Sequence, residues 1–171
     1  MQKKNKSKSS LIFVWKDYSA DYAEKVEGLF DAEAIRFTGC DEGFGTFCEY
    51  WLSELGAEAF FSKVVFIGER LIGVVALAVS DDGVFTLQEI AVTPEERGNG
   101  YGSMMLRELL TYSRLIIGRE IEEAEAVIFP KNIASQRAFQ KAGFIHIGTH
   151  PDGDAFYYGY KRRDVQKHIS T

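Results

Sequence analysis

The sequence predicts an α/β chain: one mixed sheet of about seven strands, antiparallel at first and parallel in the middle, with helices on both faces. Three observations carry this expectation. The run "KVVFIGERLIGVVALAVSDDGVFTLQEIAVT" is apolar, rich in β-branched residues and broken only by two tight turns, the pattern of a three-stranded meander. Next, a strand, a long helix with one apolar face and a second strand run from Val84 through Phe129, which fits a parallel crossover. Finally, 171 residues without repeat or linker suit a single domain that buries roughly two thirds of its unfolded surface.

Taken in order, Met1 to Ser10 reads as a flexible basic tail, residues 11–163 as the domain and residues 164–171 as a C-terminal tail. Leu11 to Trp15 is the expected first strand. Asp17 to Asp31 is amphipathic, with Tyr22, Val26, Leu29 and Phe30 at helical spacing, Ser19 as N-cap and Tyr18 as a hydrophobic staple. "RFTGCDEGFGTF" reads as an irregular loop, and a helix follows with Phe47, Tyr50, Trp51 and Leu55 on one face and Gly56 near its end. The meander spans about Lys63 to Val92, turning at Gly68-Glu69-Arg70 and at Asp81-Asp82-Gly83. Pro94 stops its last strand. Met104, Met105, Leu106, Leu109 and Leu110 mark the face of a long helix ending near Gly118, and Ala124 to Phe129 is the next strand. "NIASQRAFQKAG" is a helix capped by Asn132 and closed by Gly143. "FIHIGTH" and "DAFYYGYKR" form a final hairpin around Pro151-Asp152-Gly153-Asp154.

The bulk properties exclude several classes of function. The net charge of −5 argues against binding duplex nucleic acid, which demands a basic face. The apolar run after the basic N-terminus is too short for a signal peptide, and no stretch approaches the ~18 apolar residues of a membrane span. Two cysteines, Cys40 and Cys48, do not make a disulfide framework, so we read a cytoplasmic chain in which each is a small buried hydrophobe. His146 and His150 share one strand face without an evident third ligand, so no metal is expected there. His168 falls in the C-terminal tail.

The stretch "EERGNGYGSMML" bears most on function. Gly98, Gly100 and Gly102 stand at every second position where a helix begins. A helix N-terminus offers unpaired N–H groups and partial positive charge, and phosphates bind there. Glycines let a bulky anion reach bare backbone. Arg97 adds a charged donor. The spacing is not the dinucleotide G-x-G-x-x-G, and no lysine follows the last glycine as in a Walker A loop.

"LQEIAVTPEERGNGYGSMML" resembles the acyl-coenzyme A binding motif of the GNAT superfamily of N-acetyltransferases, whose core [Q/R]-x-x-G-x-[G/A] is matched by Arg97, Gly100 and Gly102. A second signature of that family is matched by Asn132, Ala134, Ser135, Phe139, Lys141, Gly143 and Phe144, and the resemblance covers about Lys63 to Lys161. It implies that the strands Phe85 to Val92 and Ala124 to Phe129 splay apart and that acyl-CoA slots between them. Pantetheine would pair along Glu89, Ile90, Ala91 and Val92. The pyrophosphate would rest on the backbone of Arg97, Gly98, Asn99, Gly100, Tyr101, Gly102 and Ser103. Asn132 and Ser135 would approach the pantetheine or the phosphates, and Phe139 would pack beside the pantetheine sulfur.

The implied reaction is acetyl transfer from acetyl-CoA, the co-substrate, to an amine-bearing acceptor, a small molecule in preference to a protein. Such a reaction needs a base, a donor to the thioester oxygen and a route for the thiolate. Glu89 is the acid nearest the expected thioester. Glu125 is a weaker candidate, and Asp41 and Glu42 could bind a cationic acceptor. Many family members carry a thiolate-protonating tyrosine where this chain has Phe139. Tyr157, Tyr158 or Tyr160 would have to replace it, or the thiolate leaves unaided. The competing reading is a binding module that keeps the coenzyme A site without catalysis. An open last strand is compatible with a homodimer.

Overall fold

In a computed structural model, which describes residues 11–163, the strands are β1 (Val14–Asp17), β2 (Phe60–Ile67), β3 (Arg70–Val79), β4 (Phe85–Val92), β5 (Glu123–Ile128), β6 (Ile145–Thr149) and β7 (Phe156–Lys161). They form one sheet in the order β1-β2-β3-β4-β5-β7-β6. All neighbours are antiparallel except β4 and β5, which run parallel as the crossover requires. The helices are α1 (Ala23–Glu27), α2 (Ala32–Ile35), α3 (Phe44–Leu55), α4 (Tyr101–Ile117) and α5 (Ile133–Ala142). The expected α/β class, the mixed sheet of seven strands and the helices on both faces are therefore present. The tails at residues 1–10 and 164–171, with His168, lie outside the described residues.

The sheet separates two apolar clusters. On one face Met105, Leu106 and Leu109 of α4 and Phe139 of α5 pack against Val75, Leu77, Phe85 and Leu87. On the other, Val26, Leu29, Phe44 and Cys48 pack against Val64, Val74, Ala76 and Ala91. Both cysteines are buried and free. Burial pushes both thiols up, Cys48 to about 12, which fits their reading as small hydrophobes.

The N-terminal region departs from expectation. β1 starts at Val14 rather than Leu11, because the amides of Ile12 and Phe13 donate to the Glu108 carboxylate instead of to a strand. Glu108 also accepts from Trp15 Nε1 at 2.8 Å and is buried on the apolar face of α4, where the sequence pattern marked only Met and Leu. The expected Asp17–Asp31 helix is reduced to a 3-10 turn, Ala20–Tyr22, followed by the short α1. Strand-like pairing persists to Tyr18, whose amide donates to Ser62 O at 3.0 Å, and the Ser19 hydroxyl makes no cap bond. Between that segment and the loop expected from Arg36 lies α2, which Asp31 caps by accepting from Ala34 N at 2.9 Å. β2 begins at Phe60, earlier than Lys63, in register with Ala78.

Candidate active site

β4 and β5 pair only at Phe85–Ala124 and Thr86–Glu125, although β4 runs on to Val92 and β5 to Ile128. Beyond Thr86 the two strands part. A β-bulge accompanies the parting: Leu77 faces Leu87 and Ala76 faces Glu89, so Gln88 is the extra residue. A bulge reverses the alternation of side chains along its strand. Phe85 and Leu87 lie in the α4-side cluster, but after the bulge Ile90 and Val92 pack on that side and Ala91 joins the opposite cluster. Glu89 is thereby turned toward the α1–α3 face. There the Cys40 thiol donates to Glu89 Oε2 at 3.7 Å.

The backbone of β4 beyond the bulge faces the gap. Thr93 N donates to Ile72 O of β3 at 2.9 Å, whereas Val92 O accepts from Arg97 Nε at 3.2 Å. Thr93 therefore points its polar groups at β3 and Val92 points its own away. By strand alternation the amides of Val92 and Ile90 project into the space that β5 has vacated.

The glycine stretch forms the next part of the site. A 3-10 turn, Pro94–Glu96, ends at Arg97, and Gly98 and Gly100 then take φ of +80° and +83°. Those are left-handed values that L side chains resist. They swing the chain so that α4 starts without a side-chain cap. The Ser103 hydroxyl donates to Gly100 O at 2.9 Å and accepts no first-turn amide. None of the amides from Gly98 to Ser103 finds an acceptor among the described residues. The Arg97 amide is the exception in the expected set, since it donates to Pro94 O at 3.3 Å.

A cavity of about 500 Å³ lies against this helix start. Of the residues expected from sequence, Ile90, Ala91, Val92, Arg97, Gly98, Gly100, Tyr101, Gly102, Ser103, Asn132, Ser135 and Phe139 line it. Exposed Asn99 does not. A smaller cavity of about 60 Å³ opens between the parted strands and is lined by Glu89. Ile90, Asn132, Ser135 and Phe139 line both, as do Phe37 and Thr38, which the sequence did not single out.

Glu89 is 6% exposed. Burial raises its carboxyl to about 7, against a smaller opposing contribution from hydrogen bonds to the Ile90 backbone and the Cys40 thiol. Such a group can take a proton near neutrality. The other candidates are placed elsewhere. Tyr158 is buried in the α4-side core beside His146, Tyr157 packs near Gly148, Tyr160 lies on Phe144, and none of the three lines either cavity. Glu125, Asp41 and Glu42 are exposed and line neither. Asn132 caps α5, with Oδ1 accepting from Ser135 N at 3.1 Å. Phe139 is buried edge-to-face with Phe144 and offers no proton.

Arg97 corrects the sequence reading in a second way. Its side chain was expected to serve the anion, yet its donors go to Asp31 Oδ2 at 2.8 Å, Leu29 O at 3.0 Å and Val92 O. The guanidinium holds the Asp31 carboxyl below its usual range by that hydrogen bond. Arg97 thus ties α2 to the end of β4. Positive charge at the cavity comes instead from Arg137 and Lys141, which line it and form no ion pair among the described residues. With Ala134 and Ala138 they occupy one stripe of α5 at spacings of three and four, a periodicity that was present in the sequence.

Unpaired amides at a helix start, free cations on the facing helix and an unpaired strand edge leading to a buried carboxylate suit a long anionic thioester such as acyl-CoA. The architecture is that of an acyl-CoA-dependent acyltransferase. Residues 16–144 match the family model described as Acetyltransferase (GNAT) family, and the chain belongs to that family. No curated protein matches it. Among solved structures, the aminoglycoside acetyltransferase AAC(6')-Ib with paromomycin and acetyl-CoA superposes with a TM-score of 0.70 at 22% identity, covering 92% of this chain and 98% of that one. Spermidine N-acetyltransferase from Vibrio cholerae with CoA and spermine gives 0.71 at 16%, covering 88% and 95%. A GNAT-family acetyltransferase from Streptococcus pneumoniae gives 0.65 at 19%, covering 88% and 99%. At these identities the likeness is one of fold.

Proposed function

We propose that this protein is an acetyl-CoA-dependent N-acetyltransferase acting on a small-molecule amine by direct attack on the thioester. The observation that carries the reading is the joining, through shared lining residues, of the bare α4 start to the parted strands and the buried Glu89 carboxylate. Acetyl-CoA supplies the acetyl group already activated as a thioester. The amides of Gly98 to Ser103 would hold its diphosphate, with Arg137 and Lys141 beside them. The Ile90 and Val92 backbone would pair with the pantetheine arm, and a backbone N–H of this stretch would meet the carbonyl oxygen as it gains charge. Glu89 takes a proton from the acceptor ammonium, directly or through one water, and frees the nitrogen lone pair for attack. The thiolate leaves without a protein donor, which its ordinary pKa near ~8.5 permits, and the proton left on the attacking nitrogen passes to that sulfur or to water.

An amine acceptor is supported by the relatives captured with paromomycin and spermine, both of which are polyamines in the broad chemical sense. The test has two parts. Acetyl-CoA should raise the melting temperature, and mixing it with polyamines, aminoglycosides, amino acids and peptides should release free thiol with at least one acceptor. No melting shift with any acyl-CoA would overturn the proposal. A shift with silence across the panel would favour the second reading, a coenzyme A-binding module without catalysis. Phe139, together with the absence of any β7 tyrosine from the cavities, keeps that reading alive.

A further inference from the structure

The loop between α2 and α3 sends one side chain to the centre of the site. Cys40 is 1% exposed, and its thiol has one hydrogen-bond partner among the described residues, Glu89 Oε2. Glu89 has no other side-chain partner there. The titratable groups near the carboxylate are Cys40 from this loop and Cys48 from α3; β3 opposes it with Ala76, the Ile90 backbone beside it is its one further hydrogen-bonding group, and among the described residues no lysine, arginine or histidine forms an ion pair with it. A buried carboxylate so poor in donors has little to fix its orientation or to stabilise its charge.

We propose that Cys40 is a positioning residue: its thiol holds Glu89 Oε2 against the α2–α3 loop and leaves the other carboxylate oxygen free for proton transfer. This rests on the reading of Glu89 as the base. It also assigns the loop a task its sequence does not advertise. A cysteine at this position supplies one weak donor without the cost of burying a hydroxyl or a second charge.

The experiment follows the Glu89 carboxyl by carbon-detected NMR in the full chain, with no substrate present, in the parent, Cys40→Ala, Cys40→Ser and Cys48→Ala. Loss of the donor in Cys40→Ala should raise the titration midpoint by about 0.5–1 pH unit. Cys40→Ser, which restores a donor, should bring it back to the parent value or below. Cys48→Ala removes an equally buried thiol that does not bond Glu89, and should leave the midpoint in place. An unmoved midpoint in Cys40→Ala, or an equal shift in Cys48→Ala, overturns the proposal. So does a Cys40→Ser midpoint that stays at the alanine value. The rising limb of kcat/KM against pH should move with the midpoint, while KM for acetyl-CoA stays put. If the NMR midpoint moves and that limb does not, the assignment of Glu89 as base is refuted while the thiol contact stands. The two failures are therefore distinct.

Discussion

The two halves of the proposed site are built in opposite ways. The half proposed to bind the anion is made of main chain: six consecutive amides left without acceptors because Gly98 and Gly100 take left-handed angles at the start of α4. The half proposed to transfer the proton is a side chain, Glu89, turned toward the α1–α3 face by a single extra residue in β4 and met there by Cys40 from another part of the chain. The first half is local and written in glycines. The second depends on strand register and on a contact spanning 49 residues. A backbone site tolerates changes of side chain around it but not of conformation. A buried carboxylate behaves the other way.

The largest expected effect is at the carboxylate. Glu89→Gln should lower kcat by about 10²–10⁴-fold, the usual contribution of a general base, with KM for acetyl-CoA little changed in steady-state kinetics. A rate within threefold of the parent would remove Glu89 from the mechanism.

The same residue should leave a mark on stability. Burial raises its folded-state midpoint from 4.5 to about 7. Between those values the folded state binds more proton than the unfolded, so stability falls as pH rises through that window. The loss should total roughly 3 kcal/mol by pH 7 and beyond. Urea melts from pH 4 to 8 should show the slope in the parent and its absence in Glu89→Gln. A parent curve that is flat or rising across the window would contradict the buried, proton-retaining carboxyl.

The backbone half is probed by Gly100→Asp, which puts a Cβ at φ +83° and a negative charge at the helix start. Acetyl-CoA affinity by calorimetry should fall by about 100-fold or more, and the thermal shift should vanish. Retained affinity would break the contrast between the two halves. A smaller effect belongs to the stripe on α5: Arg137→Ala and Lys141→Ala should each weaken acetyl-CoA by about 3–10-fold and lessen the dependence of affinity on salt. Smallest of all is Ser19→Ala, expected within about 0.3 kcal/mol of the parent in urea melts, because Ser19 makes no cap bond.

How much of this was legible in the sequence follows the same division. The meander, the crossover, the caps Asn132 and Gly143 and the glycine loop rest on short-range chemistry, namely periodicity, turn residues and helix ends, and each appears where that chemistry put it. The misplacements have long-range causes. β1 started late because Glu108, far along the chain on α4, takes the amides before it. The Arg97 side chain was assigned to the anion because nothing in its neighbourhood reveals Asp31 and Leu29 as partners. Glu89 could be named as the acid of β4, but not the bulge that decides its face, nor the cysteine that meets it. Phe37 and Thr38 carried no local signal. Arg137 and Lys141 did: their helical stripe was readable once α5 was drawn.

The central claim is that the amides of Gly98 to Ser103 bind the diphosphate of coenzyme A. Proton–nitrogen correlation spectra of the protein, titrated with CoA and then with inorganic pyrophosphate, test it most directly. The account predicts that these six resonances move downfield with both ligands while the Arg97 amide, already bonded to Pro94, moves least among its neighbours. Binding of CoA that leaves the six amides in place and perturbs residues elsewhere would contradict it.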